Sequence, residues 1–122
     1  MAKRLVITEK PSVARDIAAA LGGFTEEAEY LESDTYVVTW AIGHLLELSE
    51  PQEYDPKWRS WSLKNLPILP EIFTIKPKDG HKKRLDLIKR LGKRKDVEGV
   101  INACDAGREG ELIYRRIAEY AI

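Results

Sequence analysis

The sequence predicts an α/β fold built on parallel strands, and two of its stretches carry that prediction. Each is a short apolar run, residues 5–8 and 100–103, followed at once by a charged turn and then by apolar residues at helical spacing. Apolar runs without polar alternation mark strands buried on both faces, as in parallel sheets. Size agrees: 122 residues, 43% hydrophobic and 33% charged, suit one domain with one core. No apolar run is long enough to span a membrane, and the start MAKRLVITEK lacks the apolar stretch of a secretory signal. A cytoplasmic location is expected.

Taken in order, the first strand ends at Glu9. Lys10, Pro11 and Ser12 follow, and Pro in a first turn with Ser as cap fits a helix start. Val13, Ile17 and Leu21 recur every four residues as one apolar stripe, and Gly22-Gly23 supplies a left-handed stop. Residues 28–32 and 36–42 read as two strands joined by Ser33-Asp34, the second running into Gly43-His44. A histidine after a strand end can contact phosphate or tune a site, although a lone His is more often a satisfied structural residue.

Residues 50–73 hold Pro51, Pro56, Pro67 and Pro70 with Trp58 and Trp61 between them, a long connection with few regular elements. Leu63, Leu66 and Ile68 are expected to form a small satellite core with the two tryptophans. Stacking of the tryptophans on nucleic-acid bases is the alternative. Helical spacing returns with Leu85, Ile88 and Leu91, ringed by Lys82, Lys83, Lys89, Arg90 and Lys93. Residues 96–99 read as a turn into the strand at 100–103. Leu112, Ile113, Ile117 and Tyr120 then make an amphipathic helix that is still apolar at the last residue.

Between that strand and that helix lies NACDAGREGE, residues 102–111, with Asp105, Glu109 and Glu111 close together. Ligands of open α/β sheets bind at the carboxyl ends of the strands. Gly107 and Gly110 remove Cβ bulk and allow close approach there. An acidic turn that merely caps a helix is the plainer alternative. If the two predicted strands are neighbours, Glu9, Asp105 and Glu109 converge. Three carboxylates without a cation repel and raise one another's pKa. A hard divalent ion resolves the conflict, and Mg²⁺ typically takes one or two carboxylates, waters and substrate phosphate oxygens. Cys104, the only cysteine, has no partner for a disulfide or a CxxC site and is expected to be a small core residue.

The formal net charge of zero hides a division. From Asp16 to Asp55 there are ten acids and no Lys or Arg, whereas Lys76 to Lys95 holds ten basic residues against Asp79 and Asp86. Such a basic stretch is either a solvated helix face or a footprint for nucleic acid.

TEKPSVARDIAAALG at residues 8–22, AIGHLLEL at 41–48, the YDPKW and LPILP loop, and CDAGREGELI at 104–113 together resemble the Toprim domain of type IA DNA topoisomerases, above all the topoisomerase III branch. The resemblance covers essentially the whole chain and implies a Rossmann-like Toprim fold, a mainly parallel sheet with helices on both faces. It implies Mg²⁺, with Mn²⁺ a possible substitute, at Glu9, Asp105 and Glu109. Glu9 is implied as general acid or base at the scissile phosphate, and Lys10 as the cation that stabilises the transition state. Arg108 is implied to position the acidic turn or touch phosphate, and His44 to lie near the DNA strand.

One departure stands out. Most Toprim domains carry a second aspartate two positions after the first, where this chain has Gly107. Weaker or more substrate-dependent metal binding is expected, with Glu111 a possible substitute. The tyrosine nucleophile of type IA enzymes lies on a separate domain, and none of the five tyrosines here sits in its sequence context. The resemblance therefore implies that residues 1–122 are one Toprim domain, the N-terminal fragment of a longer topoisomerase. Alone it is expected to be inactive; its partners would be single-stranded DNA and the remaining domains of the same enzyme, in the nucleoid-containing cytoplasm. Two other readings are a primase- or nuclease-like Toprim protein performing phosphoryl transfer, and a non-catalytic nucleic-acid-binding module using the basic stretch.

Overall fold

A computed structural model of the chain describes residues 2–60 and 62–122. Its centre is a five-stranded sheet made of β1 (Lys3–Thr8), β2 (Thr25–Glu26), β3 (Leu31–Glu32), β4 (Tyr36–Trp40) and β7 (Val97–Ala103), in the order β2-β3-β4-β1-β7. The three long strands β4, β1 and β7 run parallel, whereas β2 and β3 extend the edge as short antiparallel additions. Helices cover both faces, as expected. Val6 and Val38 turn to one face, beneath Ala14 and Ala18 of α1 (Pro11–Leu21). Leu5, Ile7 and Val37 turn to the other, beneath Leu85, Leu87, Ile88 and Leu91 of α3 (Lys82–Gly92) and Ile113 and Ile117 of α4 (Arg108–Ala121). The period-2 alternation of side chains, invisible in a strand that is apolar throughout, decides which layer each residue joins.

β1 lies between β4 and β7, so Thr8 stands beside both Trp40 and Ala103. That register brings the turns after β1, β4 and β7 to one end of the sheet. The loop after β4 leads into a small antiparallel pair, β5 (Leu46–Leu48) with β6 (Ile75–Pro77), which the sequence reading did not anticipate. Between them lie α2 (Pro51–Tyr54) and two 3₁₀ turns, Pro56–Arg59 and Leu63–Asn65. No helix among the described residues is long and apolar enough to cross a membrane.

Several expectations are corrected. The stripe that seats α1 is Ala14 and Ala18; Val13 and Ile17 are half-buried and Leu21 is exposed, because small residues let the helix lie close to the sheet. Lys10 rather than Ser12 occupies the cap position of α1, with Pro11 as the first helical residue and no side-chain cap. The strand expected at 28–32 is reduced to Leu31–Glu32, because a tight turn in which the Glu27 N–H donates to the Tyr30 carbonyl (2.9 Å) takes up the preceding residues. β4 stops at Trp40, since Ile42 and Gly43 both adopt positive φ. β7 begins at Val97 instead of residue 100; the Lys3 N–H donates to the Asp96 carbonyl and draws this segment onto the sheet. Leu63 and Leu66 are exposed, so the satellite core does not form around them, and Trp61 lies outside the described residues. Leu112 also points away from the core of α4.

Candidate functional site

The carboxyl ends of β1, β4 and β7 carry the candidate site. Glu9 follows β1, Asp105 follows β7, and His44 lies in the loop after β4. Two backbone bonds tie the first and third turns together: the Ala41 N–H donates to the Thr8 carbonyl (2.9 Å) and the Ile42 N–H to the Glu9 carbonyl (3.1 Å). Ile42 has φ 64°, a left-handed conformation that is a strained outlier for a β-branched residue. The surrounding bonds hold that strain, and the bend it makes turns the chain toward Gly43 and His44. Nothing in the residue type Ile announces it.

The β7 turn is fixed by two residues of different kinds. Asn102 accepts the Cys104 N–H on Oδ1 (3.0 Å) and donates from Nδ2 to Glu111 (3.1 Å). The first of these bonds is a local side-chain turn, a known habit of asparagine that could have been read from its place at a strand end. Gly110, in the first turn of α4, is needed for a different reason. A Cβ there would collide with the Asp105 carbonyl oxygen and come within 3.0 Å of the Asp105 N. Only glycine lets the helix start pack onto the turn that presents Asp105. Gly107 is not constrained in this way: its φ of −175° is extended backbone and a Cβ would meet open space.

The electrostatics centre on Glu9. Burial raises its pKa most, the Asp105 carboxyl raises it further, and Glu109 adds a smaller push in the same direction; the Asp105 backbone offsets part of this. One oxygen of Glu9, Oε2, is buried without a hydrogen-bond partner among the described residues. Unpaired buried oxygens are rare and costly, and they concentrate where a ligand supplies the missing partner. Glu109 reaches across 65 residues of sequence to His44, with Oε1 3.0 Å from Nε2. Lys10 and Arg108 are exposed and pair with no carboxylate among the described residues.

The predicted acids are thus gathered at one end of the sheet, but not as a finished trio of ligands. Among the described residues no three His, Cys, Asp or Glu side chains are arranged to hold one ion. Asp105 lies close enough to Glu9 to raise its pKa, whereas Glu109 is turned aside to His44. Glu111 is turned away altogether, to Asn102 and, at 2.7 Å, to Arg115. The expected replacement of the acid missing at Gly107 by Glu111 finds no support in this geometry. Cys104 is half-buried rather than fully in the core, with Sγ 3.7 Å from the Ile7 carbonyl. Burial, with Glu9 and Asp105 adding, pushes its thiol up to about 11, which leaves it unreactive at neutral pH.

A fit to Mg²⁺ can be judged from these groups. Hard cations take oxygen ligands, and the site offers an orphaned carboxylate oxygen, a second carboxyl beside it and a third within electrostatic reach. The donor set fits, provided Glu109 leaves His44.

Comparison with known proteins agrees with this picture. DNA topoisomerase 3 of Bacillus thuringiensis strain Al Hakam is 48% identical over 119 residues, covering 98% of this chain and 16% of that protein. DNA topoisomerase 3 of Bacillus subtilis strain 168 is 45% identical over 121 residues, covering 99% of this chain and 17% of that protein. The chain therefore spans about one sixth of the length of these relatives. The solved structure of full-length topoisomerase I from Thermotoga maritima aligns with a TM-score of 0.59 at 23% identity, over 95% of this chain and 16% of that one, which establishes a shared fold. The family profile described as "Toprim domain" matches residues 4–121. With the parallel sheet, the Glu9 and Asp105 turns and nearly every residue inside that match, the chain belongs to the Toprim domain family.

Proposed function

We propose that this chain is the metal-binding Toprim unit of a DNA topoisomerase III, an enzyme that breaks, passes and rejoins single DNA strands. The observation that carries the reading is Glu9: a carboxyl with a raised pKa and an orphaned buried oxygen, set against Asp105 at the ends of two adjacent parallel strands. Similarity to proteins named DNA topoisomerase 3 supports the assignment of branch.

In this reading Glu9, Asp105 and Glu109 hold Mg²⁺, or Mn²⁺ in its place. The ion would neutralise phosphate charge and orient the reacting phosphodiester. The chain's own residues do the rest. Glu9, whose burial favours the protonated form, holds and returns a proton at the scissile phosphate as general acid or base. Lys10, exposed next to it, places its ammonium against charge that develops on phosphoryl oxygens. Arg108, exposed at the start of α4, grips a phosphate bidentately. His44, which holds Glu109 here, would be free to meet a DNA phosphate where that carboxylate serves as a metal ligand. The nucleophilic tyrosine comes from another domain of the same enzyme, single-stranded DNA is the substrate, and the place of action is the cytoplasm where the nucleoid lies.

The test is a Mg²⁺ or Mn²⁺ titration followed by amide NMR shifts, on this chain and on Glu9→Gln and Asp105→Asn. Saturable shifts confined to the turns after β1 and β7, absent from both variants, are expected. Millimolar metal that produces no saturable shift, or shifts that survive both substitutions, would overturn the assignment of these carboxylates to one metal site.

A further inference from the structure

The ten basic residues between Lys76 and Lys95 are not all explained by the fold. Three are used internally. Lys76 pairs with Glu53 at 3.1 Å, Arg84 stacks 4.9 Å over the Trp40 ring and donates to the Glu29 carbonyl, and Arg94 pairs with Glu32 and Asp96. The other seven, Lys78, Lys82, Lys83, Lys89, Arg90, Lys93 and Lys95, pair with no carboxylate among the described residues.

Their arrangement is ordered. Steps of seven and four residues set Lys82, Lys89 and the cap residue Lys93 in one line along α3, over a rise of about 16 Å; Arg90 and one exposed acid, Asp86, share that face, which stays net basic. Helix stability accounts for only part of this. Basic residues in the last turn suit the helix dipole, but Lys82 and Lys83 stand in the first turn, where no acid accompanies them and cations are disfavoured. At Lys82 the line opens into a concavity of about 430 Å³ that also takes in Lys76, Lys78 and Tyr120, with Asp79 as its one acid. Lys89 Nζ lies 6.0 Å from the centre of the Tyr120 ring, so the aromatic forms part of the same wall. None of these residues pairs with Glu9, Asp105 or Glu109 among the described residues.

We infer that the outer face of α3 with its adjoining concavity is a second nucleic-acid surface, which holds the phosphodiester backbone of a DNA segment other than the strand at the carboxylates. This rests on the DNA-directed reading above. Single lysines without planar forks or apolar pockets read charge rather than bases, so binding there is independent of sequence.

The experiment measures binding of a fluorescein-labelled oligothymidylate and of a duplex to the 122-residue chain in EDTA, as a function of salt. Lys82→Gln/Lys89→Gln/Lys93→Gln should weaken binding about tenfold or more and reduce the salt slope by about 2, close to 0.7 per lost phosphate contact. A second variant, Lys82→Gln/Lys83→Gln/Lys93→Gln, changes only exposed side chains and should do the same with an unchanged melting temperature. Wild-type affinity in both variants, no binding by the wild type at low salt, or equal displacement by polyglutamate, the sign of an acidic protein partner, would each overturn the inference. Metal plays no part in this assay. A chain whose Mg²⁺ titration fails but whose α3 variants lose DNA keeps this surface and loses the catalytic reading; the reverse pattern keeps the metal site and removes the surface.

Discussion

The two ends of the sheet use the same kinds of charged residue and solve the electrostatics in opposite ways. At the amino end, Lys3, Glu32, Arg94 and Asp96 form a closed network. Glu32 accepts from Lys3 at 2.5 Å and from Arg94 at 3.0 and 2.6 Å, and Arg94 also grips Asp96 at 3.0 and 2.7 Å. Every charge of this network has a partner within it, and Arg94 with Lys3 holds the Glu32 carboxyl down to about 2. At the carboxyl end, Glu9 is pushed upward, Oε2 has no partner, and Lys10 and Arg108 are unpaired among the described residues. The contrast separates charge that stabilises the fold from charge kept available for a ligand. Functional sites are where such unresolved electrostatics persist.

The largest effect tests whether the carboxylate turn depends on the helix start packed against it. Gly110→Ala forces a Cβ into the Asp105 carbonyl, a clash with backbone that no side-chain rotation relieves. A loss of about 3 kcal/mol is expected in urea unfolding, at the upper end for overpacking. Metal-dependent shifts at Asp105 should vanish with it. A variant that folds with wild-type stability and keeps those shifts would mean that the turn is not fixed by this contact.

The next pair of substitutions sharpens the contrast directly, because the two ends should respond to pH with opposite sign. Glu32 has a pKa of about 2 against an ordinary 4.5, so its contribution is fully present above about pH 4.5 and is lost as the pH falls through about 2. At about 1.36 kcal/mol per unit this is roughly 3 kcal/mol, which solvent screening reduces to about 2. Glu32→Gln should therefore destabilise the chain at neutral pH and matter little in strong acid. Glu9 runs the other way. Its raised pKa makes the ionised form a burden above that pKa, relieved as the pH falls through it toward the ordinary 4.5. In EDTA, Glu9→Gln should raise the melting temperature at neutral pH, by less than Glu32→Gln lowers it, and leave it unchanged below about pH 4. Equal signs for the two variants at pH 7 would dissolve the distinction between the two ends.

How much of this could be read from the sequence follows from what each feature depends on. The parallel strands were legible because burial on both faces leaves unbroken apolar runs, as in residues 5–8. The Glu9 and Asp105 turns were legible because a charged residue directly after such a run has only the strand end to occupy. The pairing of His44 with Glu109 was not, because it depends on the register of three strands and a left-handed bend at Ile42. The diversion of Glu111 to Asn102 and Arg115 was equally hidden, since its spacing from Asp105 says nothing of which neighbour it will choose. Apolarity ranks Val13 and Ile17 above Ala14 and Ala18, whereas a close helix-to-sheet contact prefers the small residues. The converse holds at Leu63 and Leu66, apolar residues that the fold leaves exposed.

The smallest expected change in stability belongs to Gly107, and it asks whether the carboxyl end can take one more charge. The two glycines of the turn differ sharply: Gly110 has no room for a Cβ, while Gly107 has extended backbone and nothing within 4 Å of one. The absence of a carboxylate at Gly107 is therefore not imposed by the backbone. Gly107 is also the cap residue of α4, where aspartate is at least as good as glycine. Gly107→Asp should change stability by no more than about 0.5 kcal/mol in EDTA. Its effect on metal should be larger, because affinity for hard cations rises with the number of charged oxygen ligands. A severalfold lower midpoint in the Mn²⁺ titration is expected, with the shifts still centred on Glu9 and Asp105. An unchanged midpoint would place the Gly107 side of the turn outside the metal's reach, leaving Glu9, Asp105 and a released Glu109 as the complete set of acids. A lower midpoint that persists after Glu9→Gln would instead move the ion toward α4, and Glu9 would be left with proton transfer alone.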